Sequence, residues 1–133
     1  MGDPTSTLLG FIHEMNEWEL ACARRYEDFK KGSAKPKENR RIGMESYARI
    51  FATFCAEGRA KPRDFHFSMP PEYDDQELAI VETAKLADHI AITVQQKSGL
   101  KDKYLFRLVE QGGAWKILNR EYIINGKHGP LQL

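Results

Sequence analysis

The sequence predicts an α+β fold, with N-terminal helices packed on one face of a curved antiparallel sheet of about four to six strands. Three observations carry this. Apolar residues recur at gaps of three and four through the first half of the chain, which is helical spacing. After Lys61-Pro62 the period changes to two. The stretch Lys103–Ile124, KYLFRLVEQGGAWKILNREYII, reads as two apolar strands joined by a Gly-Gly turn, a strong hairpin signal. Helices followed by a run of strands, without βαβ alternation, segregate the helices to one side of the sheet.

Each element follows in order. Asp3-Pro4 marks a helix start, Asp as N-cap and Pro in the first turn. Leu8, Phe11, Ile12, Met15, Trp18, Cys22, Tyr26 and Phe29 share one face of that helix, with Glu17, Arg24, Glu27 and Asp28 opposite. Residues 30–38, KKGSAKPKE, form a basic loop broken by Gly32 and Pro36. A second helix runs from about Asn39 to Glu57, with Ile42, Tyr47, Ile50, Phe51, Phe54 and Cys55 on its apolar face. Gly58 follows its end, and Gly43 allows a split into two shorter helices.

Asp64–Ser68 alternates and is aromatic, which predicts a first strand. The paired prolines of Met69-Pro70-Pro71 end it. Glu77–Leu86 fits a strand, although its Ala and Glu content also allows a helix. His89–Gln96 alternates cleanly. In the closing hairpin, strict alternation sets Trp115, Ile117, Asn119 and Glu121 against Lys116, Leu118, Arg120 and Tyr122. The Gly- and Pro-rich tail NGKHGPLQL predicts irregular structure.

The 133 residues suit one domain spanning 1–133. No apolar run reaches the ~20 residues of a membrane span, and the N-terminus lacks the basic leader of a secretory signal. Cys22 and Cys55 sit at apolar helical positions and read as reduced, buried thiols, which predicts a cytoplasmic protein. No Cys or His pair has metal-ligand spacing and no Gly-rich phosphate loop is present, so no metal or cofactor is expected. The net charge of +1 conceals segregation. Residues 1–29 are acidic, 30–63 basic and 64–82 acidic again. Near-neutral overall charge argues against a nucleic-acid binder, since the aromatics of the basic block lie on the apolar face of its helix.

The closing hairpin, an aromatic-rich strand, a Gly turn and a Trp-Lys-Ile strand, resembles the last two strands of the nuclear transport factor 2-like (cystatin-like) superfamily. From MNEWEL in the first helix through FHFSMPPEYDD to the hairpin, the chain is similar to the nuclear transport factor 2-fold immunity proteins of bacterial polymorphic toxin systems. That resemblance implies a cone closed by the helices, and a protein that binds and neutralises a cognate toxin. Ketosteroid isomerases and polyketide cyclases share the fold, so the alternative is a small-molecule binder or enzyme using the cone pocket.

For an enzyme, the available groups are His13, Asp28, His66, Asp88 and His89, none of which falls in a recognisable catalytic constellation. For partner binding, the acidic stretch Glu72, Tyr73, Asp74, Asp75 and Glu77 could dock a basic toxin surface with Tyr73 as its anchor. A solvated connecting loop is the plainer alternative. The basic stretch Lys30–Arg41 is a second candidate, suited to an acidic toxin. An exposed face of the curved sheet would also allow a homodimer.

Overall fold

The computed structural model describes residues 3–30 and 36–133, with the backbone alone for 28–30 and 36. Helix α1 spans Pro4–Lys30 and α2 spans Pro36–Phe54. Strands β1 (Leu78–Lys85), β2 (Ile90–Gln96), β3 (Lys103–Gln111), β4 (Ala114–Ile124) and β5 (Lys127–Leu131) form one antiparallel sheet in sequential order. The fold class expected from the sequence is the one observed.

Asp3 caps α1 by accepting the Ser6 N–H at 2.7 Å. The apolar stripe of α1 supplies Leu8, Phe11, Ile12, Met15, Trp18 and Cys22 to the core, where they meet Ile92, Val94, Phe106, Leu108 and Ile117 of the sheet. Tyr26, assigned to the same stripe, is 47% exposed; Phe29 falls among the side chains not described. Helix α2 runs unbroken through Gly43 but stops at Phe54, earlier than Glu57. Its end is set by the sheet, because the Ala56 N–H is given to the Ile117 carbonyl at 2.8 Å.

Gly43 has a packing role. Its carbonyl accepts the Trp18 indole N–H at 2.9 Å, and a Cβ there would overlap the Phe65 ring. Gly43→Ala gains up to ~1 kcal/mol of helix propensity but overpacks this contact at a cost of about 1–3 kcal/mol. A net loss is expected, read as a lower thermal midpoint.

Two segments differ from the sequence reading. Residues 64–68 are not a strand. Their alternation reflects side-chain packing alone: Phe65 meets Trp18, Phe67 meets Tyr26, and His66 points outward and is exposed. The tail is not irregular, because Lys127–Leu131 adds a fifth strand to β4. Asn125 and Gly126, with φ of 51° and 76°, make the two-residue turn that this pairing needs.

A bulge at Leu118 sets the interior. Arg107 faces Asn119, while Leu108 faces Ile117, so Leu118 is left over and strict alternation fails. Arg120 therefore stands opposite Phe106, on the core face that also holds Ile117.

Candidate functional site

Four buried or half-buried charges hold the connection from Arg63 to Glu77. Glu19 of α1, fully buried, accepts the N–H of Ser68 at 3.1 Å and of Tyr73 at 2.9 Å. Burial pushes its carboxyl above the ordinary range, while these backbone bonds pull it back. Arg120, 5% exposed, pairs with the Glu72 carboxylate. Arg63 lies 3.7 Å from that carboxylate, an ion pair too long to be a hydrogen bond.

Both guanidiniums flank the Tyr73 ring, with centres 5.3 Å and 4.9 Å from its centroid. They also fasten the chain's last described residues. Arg63 Nε donates to the Leu133 carbonyl at 2.6 Å, Tyr47 Oη to the same oxygen at 2.9 Å, and Arg120 Nη2 to the Gln132 carbonyl at 2.6 Å.

Tyr73 corrects the sequence reading. It is 1% exposed and packs edge-on against Phe11 at 5.3 Å, so it anchors the loop inward and cannot be a surface anchor for a partner. Burial raises its hydroxyl far above the usual phenol range. Glu72 is likewise spent on Arg120.

Asp74, Asp75 and Glu77 are half-buried and make contacts of their own. Asp74 closes a turn by accepting from the amides of Gln76 at 3.0 Å and of Glu77 and Leu78 at 3.0 Å. Asp75 accepts from His13 Nδ1 at 2.9 Å and Asn16 Nδ2 at 3.4 Å, both on α1. Glu77 accepts the Ser98 hydroxyl at 2.6 Å. A groove of about 350 Å³ lies beside them, lined by Pro70, Pro71, Glu72, Asp74, Glu77 and Ser98. Next along the chain from its walls, Met69 is 62% and Leu100 is 88% exposed. The acidic stretch is thus a pinned loop, not a loose connection.

His13 is held above its ordinary value by the Asp75 hydrogen bond. A raised pKa means this contact stabilises the fold fully below the unfolded value of ~6.5 and is lost as pH rises through the folded one. An NMR titration is expected to place His13 above a free histidine, and Asp75→Asn to return it toward that value.

The groups considered for catalysis do not converge. His13 is engaged by the loop, His66 is exposed, and Asp88 with His89 forms a 2.7 Å pair at the β1–β2 turn. The Asp28 side chain lies outside the described residues, as do Lys31–Lys35 of the basic stretch. Burial raises Cys55 to about 12 and Cys22 to about 11, so both thiols stay protonated. Among the described residues no group of three His, Cys, Asp or Glu side chains could hold a metal, and no helix is long and apolar enough to cross a membrane.

Sequence reasoning missed Glu19, Arg63 and Arg120. Glu19 breaks no pattern visible in α1, and Arg63 falls at the end of a basic block with nothing in the sequence to set it apart, although it is 5% exposed.

No curated protein and no solved structure matches the chain. The family model described as NTF2 fold immunity protein matches residues 3–128. That span takes in both helices, the pinned loop, four whole strands and the start of the fifth, and the chain therefore belongs to the NTF2 fold immunity protein family.

Proposed function

We propose that this protein neutralises a cognate bacterial toxin in the cytoplasm by stoichiometric binding, without catalysis, covering the toxin's active site or substrate path. Membership of an immunity family is the observation that supports a toxin as the partner. The docking surface in this reading is the pinned loop, with Asp74, Asp75 and Glu77 as its charges and Met69 and Leu100 as apolar contacts beside the groove. Tyr73 and Glu72 act from beneath, by fixing its shape. A rigid surface loses little conformational entropy on association, and fixed carboxylates favour a basic toxin surface such as a nuclease cleft.

The alternative, an enzyme or small-molecule binder using the cone, has one observation in its favour, the buried carboxylate of Glu19. Both of its oxygens are taken by backbone amides.

Expression of the toxin encoded beside this protein should arrest growth, and co-expression of this protein should restore it. Continued arrest, with no complex in a pull-down, would sink the neutralisation reading.

A further inference from the structure

A second concavity lies in the crease between α1 and α2. It measures about 630 Å³ and runs from Glu14 to Arg25 on α1 and from Ile42 to Phe54 on α2. Its floor is apolar, formed by Trp18, Ile42, Ile50 and Phe54. Its walls are charged: Glu14 and Glu17 toward one end of α1, Arg25 at the other end with its guanidinium turned to Asn39 and Cys22, and Arg49 on α2. Glu14, Glu17 and Arg49 are exposed and make no ion pair among the described residues.

We propose that this crease receives an amphipathic helix of the cognate toxin, with a basic flank against Glu14 and Glu17 and an acidic flank against Arg49. The identity of the partner rests on the neutralisation reading; the chemistry of the occupant rests on the crease itself. Both walls are helices, whose backbone groups are internally bonded, so an added strand would find no ladder to join. Parallel rows of side chains over an apolar floor accept a helix instead, by ridges-into-grooves packing. The eleven steps from Glu14 to Arg25 rise about 16 Å, room for about three turns of an occupant presenting apolar residues at i, i+3, i+4 and i+7.

Charge complementarity fixes its flanks. The acidic wall also continues into the loop, because His13 and Asn16, which hold Asp75, lie on the same turns of α1 as Glu14 and Glu17. One toxin surface can therefore span both.

Two synthetic amphipathic helices of about four turns test this against the full chain, one with a basic and an acidic flank, the other with both flanks acidic. Affinity is read by calorimetry and the binding site by amide NMR shifts. The mixed-flank peptide is expected to bind at least about tenfold tighter than the acidic one, the size of effect that a few like-charge contacts produce. In the Glu14→Lys, Glu17→Lys variant, whose changes are both on exposed positions, the order should invert. Equal affinities, an unchanged order in the variant, shifts outside the crease, or self-association of the wild type through it would overturn the proposal. The two readings fail separately. A toxin captured equally well by wild type and by the crease variant removes the crease alone. No capture by the wild type, with the peptide preference intact, removes the neutralisation reading alone.

Discussion

Replacing Arg120 with alanine is expected to destabilise the fold by about 3 kcal/mol, toward the low end for breaking a buried ion pair because Glu72 keeps some contact with water. The substitution removes three interactions at once. The Glu72 carboxylate loses its guanidinium partner, the Gln132 carbonyl loses two guanidinium donors at 3.1 Å and 2.6 Å, and the Tyr73 and Tyr104 rings lose a cation at 4.9 Å and 5.7 Å. Arg120→Met retains the aliphatic packing and exchanges the guanidinium for a neutral thioether, so it should be less damaging than alanine. Urea unfolding checks both. A loss below about 1 kcal/mol for alanine, the size of an ordinary surface pair, would show that the cluster does not hold the tail and the loop together. Glu19→Ala tests the same brace from α1, since it leaves the buried amides of Ser68 and Tyr73 without acceptors, at about 1–3 kcal/mol each.

The second large effect is on binding. Reversing the loop charges through Asp74→Lys, Asp75→Lys and Glu77→Lys should weaken the toxin complex about 100-fold or more, because placing like charges across an interface costs several kcal/mol. The folded state should tolerate the change far better than Arg120→Ala. These side chains are only part-buried and their contacts are surface contacts, with Asp75 to His13 the main one lost. Wild-type association should also slow as salt rises, since the screening length shrinks from ~8 Å at physiological ionic strength to ~3 Å at 1 M. An unchanged dissociation constant in the reversed variant would move the interface off this loop. The loss of stability in Arg120→Ala and the loss of affinity in the loop variant are separate quantities, and measuring both on each protein distinguishes a brace from a contact.

Much of the fold was legible because its signals are local. The α1 stripe has strict helical spacing, and the Gly-Gly turn sits between two apolar strands with φ of 63° and 81° at its glycines. The fifth strand was also signalled, by Asn125-Gly126, a favoured hairpin dipeptide. The glycines and proline of the tail suggest irregular structure, but Pro130 lies on a strand paired on one side only, where it is tolerated. Residues 64–68 misled because alternation normally implies a ladder, whereas Phe65 alternates inward to fill the space over Gly43.

The brace was not legible. Arg120 reaches the interior only because one bulge at Leu118 inverts the face of the residues that follow, and the sequence around Leu118 carries no Gly or Pro to mark it. Tyr73 sits in a run of carboxylates that are only half-buried, and the tertiary contacts with Phe11, Arg63 and Arg120 turn it inward. The acidic loop itself was visible as composition. Its rigidity depends on His13, Asn16 and Ser98, which lie far from it in sequence.

The most direct test of the account is a titration of purified toxin activity with this protein. Stoichiometric occlusion predicts a linear fall to zero at one equivalent, immediate and reversible on separation. Full toxin activity in the presence of excess protein would contradict it, and so would progressive loss of activity far below one equivalent, which is the behaviour of a catalyst.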